Sequence, residues 1–283
     1  MPQDLNAIAD KAGLKRVTLA FITAIDNTCK AGWAGTASYP VQGTKPWGKS
    51  VFDAVRASGK ALVVSFGGAS GTDLSVPCDV AGLVAIYQEV IKNYQPERLD
   101  FDIEGGFLGN TAALGRLVTA LKTVQANNPT VALSFTLPVM PYGFDASQKA
   151  MVKQAVDGGL TFQVNIMAMD YGSTYDGNQG DNAIKAGDAV VHYLQTLYPA
   201  KPLAALYGLL IITPMIGVND VTSNVFTLAN AQALNSYATS KGLAGLSMWS
   251  LNRDHPCAGG VSITCSGGNV QTADYDFSKT LGK

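Results

Sequence analysis

Three carboxylates stand at alternate positions in one short segment, Leu99-Asp100-Phe101-Asp102-Ile103-Glu104. On a β-strand, residues two apart share a face, so Asp100, Asp102 and Glu104 project together and the apolar residues between them face the other way. Like charges held this close cannot all ionise comfortably, and at least one carboxyl should keep a proton at neutral pH. A retained proton is what a general acid needs. The segment therefore predicts an acid-catalytic cluster; the alternative is an acidic strand face exposed to solvent.

The sequence around this segment alternates strand-like apolar runs with amphipathic helical stretches. Strands are predicted at Val17–Ile25, Ala61–Phe66, Leu99–Glu104, Val131–Leu137, Phe162–Met169, Tyr207–Pro214, Val225–Leu228 and Gly245–Ser250. Helices are predicted at Asp79–Tyr94, with Asp79 as N-cap, and at Asn110–Asn127, Asp145–Val156, Asp181–Leu197 and Ala229–Lys241, the last ending at Gly242. This alternation implies parallel strands joined by crossover helices. We expect an α/β fold, a (β/α)8 TIM barrel in a single domain over residues 1–283, with irregular sixth and seventh units.

In such a barrel, functional residues lie at the C-terminal ends of the strands. Glu104 ends the third predicted strand and is followed by Gly105-Gly106, a permissive turn that leaves the site open. Glu104 also has the longest reach of the three acids. We therefore expect Glu104 to be the residue that meets a substrate.

The composition limits the classes of protein to consider. Of 283 residues, 47% are hydrophobic and 14% charged, with a net charge of −1. A low charge fraction suits a buried parallel sheet and argues against disorder. Because no basic cluster and no apolar run of membrane-spanning length is present, we expect neither nucleic acid nor a membrane as partner, and a neutral polymer fits the charge balance. No signal peptide is visible, so a secreted protein would have lost its leader.

Four cysteines and two histidines show no metal-ligand spacing, so no metal site is expected. An even number of cysteines in loop-like sequence favours disulfides and an oxidising compartment. Cys257 and Cys265 flank a Gly/Ser-rich loop and are the first predicted pair. Cys29 and Cys78 could join the loops after the first two strands. Four free thiols are the alternative.

Further strand ends carry polar or aromatic residues. They are Ser65-Phe66-Gly67-Gly68, Met167-Ala168-Met169-Asp170-Tyr171-Gly172, Thr213-Pro214-Met215-Ile216-Gly217-Val218-Asn219-Asp220 and Met248-Trp249-Ser250. Ser65 could donate a hydrogen bond to Asp100, and Trp249 offers a flat apolar face at the rim of the barrel. Met167 and Met169 alternate inward, with plain core packing as the alternative, and Asp220 could accept hydrogen bonds unless it belongs to an Asx turn after Asn219.

The pattern Asp-x-Asp-x-Glu at the end of the third strand resembles the signature of glycoside hydrolase family 18, the chitinases. The other four strand-end segments are similar to segments of the same family in the same order, so the resemblance covers nearly the whole chain. One departure lies at the entrance of the strand, where Glu97-Arg98 replaces the Asp-Gly of the family's longer signature. It does not touch the reacting groups.

The resemblance implies roles for the acids and one tyrosine. Glu104 protonates the glycosidic oxygen, Asp102 orients the substrate's acetamido group, Asp100 shares a proton with Asp102, and Tyr171 holds the acetamido oxygen. The attacking group is the acetamido oxygen of the sugar itself. The implied substrate-binding residues are Trp249, Asp220, Met167, Met169, Asp170, Ser65 and Gly68. No metal and no cofactor is implied.

The implied partner is chitin or N-acetylglucosamine oligosaccharides. We expect a secreted, extracellular monomer, with carbohydrate-binding modules attached in a longer protein. The alternatives on this scaffold are an endo-β-N-acetylglucosaminidase acting on N-glycans and a non-catalytic chitin-binding lectin. An unrelated barrel enzyme such as an aldolase would need a lysine or metal ligands at strand ends, and none stands out.

Overall fold

The computed structural model describes residues 4–282. Contacts divide them into two compact units. The first contains residues 4–9, 15–136 and 146–162, and the second contains residues 10–14, 137–145 and 163–282. The single domain over residues 1–283 stays a prediction.

The first unit is a sheet with helices between its strands. Its strands are β1 (Arg16–Ala24), β2 (Ala31–Trp33), β3 (Ala61–Gly67), β4 (Arg98–Asp102) and β5 (Ala132–Pro138). They lie in the order β2-β1-β3-β4-β5, with β2 antiparallel to β1 and the other pairs parallel. The helices are α1 (Leu5–Ala12), which extends into the second unit, α2 (Lys49–Ala57), α3 (Val80–Tyr94), α4 (Thr111–Asn127) and α5 (Ala146–Asp157). The acidic segment thus lies on the third parallel strand, as predicted.

The outer face of this sheet is aromatic. Phe66, Phe101 and Phe135 are cross-strand neighbours on β3, β4 and β5, and each is at most 1% exposed. The Phe66 and Phe101 rings stack at 5.2 Å between centroids, and Tyr87 of α3 meets both edge-on. Aromatic cross-strand pairs stabilise a sheet beyond their buried area. This packing fixes the strand register, and therefore which residues face inward.

Helix ends follow the predicted caps in the first unit. The Asp79 side chain accepts a hydrogen bond from the Gly82 amide at 2.7 Å, which confirms Asp79 as the N-cap of α3. Asn110 accepts from the Ala113 amide at 3.1 Å and begins α4 in the same way. These caps end the loops that follow β3 and β4, so the strand ends are held close to the helices that follow them.

The second unit repeats the alternation with shorter strands. Its strands are β6 (Gln163–Ala168), β7 (Leu210–Pro214), β8 (Gly217–Val218), β9 (Val225–Phe226) and β10 (Gly245–Leu246). β6, β7 and β10 are parallel neighbours in that order, whereas β8 and β9 form an antiparallel pair. The helices are α6 (Gln179–Leu197), α7 (Leu203–Tyr207), α8 (Leu228–Lys241) and α9 (Asp276–Leu281). Within residues 4–282, neither unit contains a pairing that closes its own strands into a ring.

Two predicted strands of the second unit are wrong in extent. Residues 203–207 form α7, so β7 begins at Leu210 rather than Tyr207, since an apolar run of this length fits a helix or a strand equally well. The strand predicted over Gly245–Ser250 stops at Leu246. Its partner β7 ends at Pro214, which has no N–H to donate to the next ladder position. α8 ends at Gly242 with φ +68°, as predicted.

Both predicted disulfides are present. Cys29 is bonded to Cys78 in the first unit, and Cys257 to Cys265 in the second. The alternative of free thiols is therefore wrong. No helix within residues 4–282 combines the length and the apolar character needed to cross a bilayer.

Candidate active site

Asp100 is buried beneath three hydroxyl groups. The strand register places Ser65 of β3 and Ser134 of β5 on either side of it. Ser65 Oγ donates to Asp100 Oδ2 at 2.7 Å, Ser134 Oγ to Oδ1 at 2.5 Å, and Thr136 Oγ1 lies 2.9 Å from Oδ1. The side chain is 6% exposed, so these hydroxyls replace the water that a carboxylate loses on burial. The predicted contact between Ser65 and Asp100 is confirmed.

Asp102 is equally buried but much less satisfied. Its neighbours across the strands are Gly67 and Thr136, and its buried Oδ1 atom has no hydrogen-bond partner among the described residues. Burial first, then the charges of Glu104 and Asp100, raise the pKa of Asp102 to about 9. Asp102 therefore holds a proton at neutral pH and keeps one oxygen available for a ligand.

Glu104 continues the alternation beyond the end of β4. Its backbone is extended, with φ −143° and ψ 175°, and Ile103 keeps the ladder through an amide hydrogen bond to the Thr136 carbonyl at 2.9 Å. Ile103 is fully buried, whereas Glu104 is half-buried, and Gly105 after it is exposed. Burial raises the pKa of the Glu104 carboxyl. The prediction that Glu104 turns to the same side as Asp102 while staying accessible is consistent with this geometry.

Gly68 contributes backbone rather than side-chain chemistry. Its amide donates to the Asp102 carbonyl oxygen at 3.1 Å. A Cβ at Gly68 would lie 2.8 Å from the ring of Phe21, and the backbone has φ +87°, where glycine is favoured. The first unit thus brings together five predicted site residues: Ser65, Gly68, Asp100, Asp102 and Glu104.

In the second unit, β6 presents a partly accessible face. Met167 and Met169 are half-buried, whereas Ile166 and Ala168, which alternate with them, are buried. Period-two alternation of this kind places the two methionines on the face that does not pack on helices. They are therefore less enclosed than core residues.

Tyr171 follows the end of β6 and is 3% exposed. Its hydroxyl is buried and has no hydrogen-bond partner among residues 4–282. Burial raises the pKa of this phenol, so it stays neutral and can donate a hydrogen bond. An unpaired buried hydroxyl is unfavourable on its own and is a candidate for contact with a ligand.

Asp170 and Asp220 have different surroundings. Asp170 is half-buried, and its Oδ1 accepts a hydrogen bond from the Val221 amide at 2.8 Å. Burial raises the pKa of Asp170 and the Val221 hydrogen bond opposes this. Asp220 is exposed on the same loop, next to Asn219, which is 2% exposed. The loop therefore carries one carboxyl tied to the backbone and one that faces solvent.

Trp249 is 42% exposed, which argues against an ordinary core tryptophan. Its backbone is anchored on both sides: its amide donates to the Pro214 carbonyl at 2.9 Å, and its carbonyl accepts from the Ile216 amide at 3.0 Å. The indole is thus presented from a fixed backbone, three residues after β10 ends at Leu246. Trp33 differs, since it is 5% exposed within an aromatic cluster of the first unit and serves packing.

Sequence reasoning missed the full set of groups that hold the acids and the tyrosine. The sequence does not predict the contact of Thr136 with Asp100. It predicts only a turn for Asn219 and no role for Asn224. One signal was available: in β5, Ser134 and Thr136 alternate with three apolar residues, which marks the inward face as polar. Among residues 4–282, no group of three or more His, Cys, Asp or Glu side chains is arranged to hold a metal ion.

Parallel strands with a buried acid ladder at the end of the third strand are the arrangement that the resemblance to barrel-type glycoside hydrolases predicts. The catalytic domain of a hyperthermophilic chitinase from Pyrococcus furiosus is 34% identical, with a TM-score of 0.89 over 99% of this chain and 89% of that one. Catalytic-site mutants of active domain 2 of the thermostable chitinase from the same organism, solved with chito-oligosaccharides, are 33% identical with a TM-score of 0.87, covering 98% and 87% of the two chains.

Two curated proteins are also similar. A probable bifunctional chitinase/lysozyme of Escherichia coli (strain K12) is 33% identical over 92% of this chain and 30% of its own length. Endochitinase 11 of Metarhizium anisopliae is 31% identical over 93% of this chain and 51% of its own. The chain therefore spans about a third to a half of these curated relatives. No family model matches the chain.

This chain belongs to glycoside hydrolase family 18, the chitinase family. The predicted fold class, α/β with the (β/α)8 barrel of these chitinase domains, is confirmed by the likeness to the solved structures.

Proposed function

We propose that this protein hydrolyses β-1,4 linkages between N-acetylglucosamine units in chitin and its oligosaccharides. The observation that carries the proposal is the Asp102 carboxyl, buried with one unpartnered oxygen and a pKa of about 9, beside a half-buried Glu104. Membership of the chitinase family and the chito-oligosaccharides bound to a solved relative support the substrate class.

Glu104 is the general acid in this proposal. Burial raises the pKa of Glu104, and a sugar covering its open side removes more water and raises it further. The protonated carboxyl gives its proton to the glycosidic oxygen as the C–O bond breaks. It then acts as base and takes a proton from the water that completes hydrolysis.

The nucleophile is the acetamido oxygen of the sugar at the cleavage point. It attacks its own anomeric carbon from the face opposite the leaving group and forms an oxazolinium ion, which water opens with net retention. Asp102 accepts a hydrogen bond from the acetamido N–H through its unpartnered Oδ1 and stabilises the ion. Burial first, then the charges of Glu104 and Asp100, keep the Asp102 proton in place, and Ser65 and Ser134 fix the Asp100 side chain. The attack is intramolecular, which removes an entropic part of the barrier.

Residues of the second unit bind the sugar in this proposal. The Tyr171 hydroxyl, unpaired among residues 4–282, donates a hydrogen bond to the acetamido oxygen, and Trp249 stacks under a pyranose ring. Asp220 accepts from a sugar hydroxyl. The remaining contacts come from Met167, Met169 and Asp170, together with Gly68 of the first unit. Ser65, predicted to bind substrate, is 1% exposed and gives its hydroxyl to Asp100, so it acts through that acid instead.

We also propose a secreted monomer. Two disulfides favour an oxidising compartment, and carbohydrate-binding modules attached in a longer protein remain part of the proposal. Light scattering of the purified protein should give a mass near 29.6 kDa.

The test compares the wild type with Glu104→Gln on N-acetylglucosamine hexamers. Glu104→Gln keeps shape and hydrogen bonding but loses the acid, so reducing-end release should be abolished, a loss of at least about 100-fold. Folding and binding of the hexamer by calorimetry should be unchanged. Glu97→Gln, an exposed glutamate at the other end of β4, is the control and should keep full activity. Full activity of Glu104→Gln overturns the assignment.

Product analysis tests the mechanism and the substrate. Products measured by NMR within the first turnovers should be β-anomers, and release of α-anomers contradicts attack by the acetamido group. Hexamers of N-acetylglucosamine should be cleaved and cellulose oligomers should not. Cleavage of N-linked glycans with no action on the hexamer would instead establish the endo-β-N-acetylglucosaminidase alternative, and tight binding without hydrolysis would establish the lectin.

A further inference from the structure

Tyr171 lies in an irregular segment, and the contacts of its own side chain do not hold that segment in place. The residue before it, Asp170, has φ +53°, and Gly172 after it has φ +90°, so the backbone turns sharply at the end of β6. Among the residues that the structure describes, the Tyr171 hydroxyl has no hydrogen-bond partner. The Tyr171 ring lies edge-on to the Tyr175 ring, at 6.3 Å between centroids. The position of the hydroxyl therefore depends on the backbone on either side as well as on the packing of the buried ring.

On the N-terminal side of Tyr171, hydrogen bonds join Asp170 to the loop that contains Asn219. Asn219 Oδ1 accepts from the Asp170 amide at 3.2 Å, and Asp170 Oδ1 accepts from the Val221 amide at 2.8 Å. A positive φ at a non-glycine residue costs about 1–3 kcal/mol and persists where the surroundings hold it. These two hydrogen bonds hold Asp170 in that conformation.

On the C-terminal side, Asn224 makes the matching contacts. Its Nδ2 donates to the Gly172 carbonyl at 3.3 Å and to Asp176 Oδ1 at 2.9 Å. The Gly172 carbonyl also accepts from the Tyr175 amide at 3.0 Å, so the segment is closed locally as well. Tyr171 is therefore bracketed, with one asparagine holding the residue before it and another holding the residue after it.

The two asparagines are joined to each other and buried. Asn219 is 2% exposed and Asn224 is fully buried. The Asn219 amide donates to the Asn224 carbonyl at 3.0 Å, and Asn219 Nδ2 donates to the carbonyls of Met215 at 2.9 Å and Gly217 at 3.1 Å. Both the oxygen and the nitrogen of the Asn219 side-chain amide are therefore engaged in hydrogen bonds to backbone groups.

Arg253 anchors the same loop from its other side. Its Nη2 donates to the carbonyls of Ile216 at 2.9 Å and Val218 at 2.6 Å, and its Nη1 donates to the Ser262 carbonyl. The guanidinium is 2% exposed. A loop fixed in this way is rigid enough to position a neighbouring segment.

We propose that Asn219 and Asn224 are positioning residues that hold the Tyr171 hydroxyl for the acetamido oxygen of the sugar. The inference rests on the proposed function for the identity of the group that Tyr171 contacts. Neither asparagine touches the substrate. Because a donor displaced by about 1 Å can lose most of its contribution to the transition state, the two residues act on kcat through Tyr171. Asn219 also holds the Asp170 amide, and a displacement of Asp170 or of the adjacent Asp220 acts on sugar binding and changes KM.

The test is a double-mutant cycle on kcat with N-acetylglucosamine hexamers. Asn219→Ala and Asn224→Ala should each lower kcat about 10- to 100-fold in the wild-type background. In a Tyr171→Phe background, which has no hydroxyl to misplace, each should change kcat less than about 2-fold. Equal losses in the two backgrounds, or no loss in the first, overturn the proposal.

Two further variants separate positioning from stability. Asn235→Ala also removes a buried asparagine. Asn235 lies on α8, donates to the carbonyl of Thr280 on α9 at 2.7 Å, and its loss should leave kcat unchanged at a temperature where the protein is folded. Asp176→Ala removes the exposed acceptor of Asn224 and is the milder probe of the same contact if Asn224→Ala does not fold. Asp176→Ala should lower kcat in the wild-type background but not in the Tyr171→Phe background. An unaltered kcat in the wild-type background contradicts the role of Asn224.

A spectroscopic readout keeps this inference apart from the proposed function. In NMR spectra of protein with ring-labelled tyrosine, the Tyr171 signal is the one that disappears in Tyr171→Phe. This signal should shift or broaden in Asn219→Ala and Asn224→Ala but not in Asn235→Ala. If the wild type did not cleave the hexamer, the proposed function would fail while a shifted signal still upheld the positioning. An unshifted Tyr171 signal overturns the positioning whatever the activity.

Discussion

A Cβ atom on Gly67 would lie 2.2 Å from the carbonyl oxygen of Asp102. Gly67 also has φ +90°, so both its conformation and its neighbour require glycine. We predict that Gly67→Ala lowers the free energy of unfolding by about 2–4 kcal/mol, from backbone strain together with overpacking. Since the strand carrying Asp102 must move, activity should fall in parallel in the fraction that remains folded. Urea unfolding and hexamer hydrolysis measure the two effects.

Gly59 provides the matched control. It has φ +82° but nothing within 4 Å of the position of a Cβ. Gly59→Ala therefore carries the conformational strain without the collision and should lose about 1 kcal/mol, with activity unchanged. Equal losses of stability in the two variants would show that the contact with Asp102 contributes nothing.

The Asp102 carboxyl makes stability depend on pH. Its pKa is raised to about 9 in the folded protein, against about 3.9 for an ordinary aspartate. Between these values the folded protein binds more protons than the unfolded chain, so the free energy of unfolding decreases as pH rises. Asp102→Asn removes this contribution, and its stability should fall less steeply than that of the wild type in urea unfolding at pH 5, 7 and 9.

Asp53 supplies the opposite sign for comparison. Hydrogen bonds from Lys49 and Arg56 lower the pKa of Asp53, so it contributes stability that is lost as pH falls through the folded pKa, well below pH 5. Asp53→Asn should keep the wild-type slope between pH 5 and 9. A slope for Asp102→Asn equal to that of the wild type in this interval contradicts the raised pKa of Asp102.

The sequence predicted the acid ladder because its signal is local. Alternation of acid and apolar residues over residues 99–104 determines which side chains share a face, whatever the rest of the chain does. The cap at Asp79 and the end of α8 at Gly242 are equally local, and both are confirmed. The pairing of Ser65 with Asp100 needed one further step, the assumption that two predicted strands are neighbours.

The loop after β7 could not be predicted in the same way. The contacts of Asn219 with Asp170 and of Asn224 with Gly172 join residues about fifty positions apart and depend on backbone turns with positive φ. An asparagine in a loop reads as a turn residue, because nothing in the local pattern shows which distant carbonyl its amide will meet. The early end of β10 likewise depends on Pro214 in the neighbouring strand, not on its own residues.

The two disulfides should contribute unequally to stability. Cys29 and Cys78 are separated by 49 positions, and Cys257 and Cys265 by 8. In the chain-entropy model, the longer loop loses about 4 kcal/mol when opened and the shorter about 2.5 kcal/mol. Replacing Cys29 and Cys78 by serine should therefore lower the urea midpoint more than replacing Cys257 and Cys265. A larger loss for the second pair would mean that packing, not loop closure, dominates.

Trp249 and Trp33 should respond to truncation in opposite ways. Trp249 is 42% exposed, so Trp249→Ala should change the free energy of unfolding by less than about 1 kcal/mol. Loss of its stacking surface, roughly 1–2 kcal/mol, should raise KM for the hexamer about 10-fold.

Trp33 is 5% exposed, and its Nε1 donates to the Tyr94 hydroxyl at 3.2 Å. Trp33→Ala should therefore lose about 3–5 kcal/mol of stability and leave KM of the folded enzyme unchanged. Trp249→Phe, which keeps an aromatic face, should recover most of the affinity. An unchanged KM for Trp249→Ala removes this tryptophan from the substrate-binding surface.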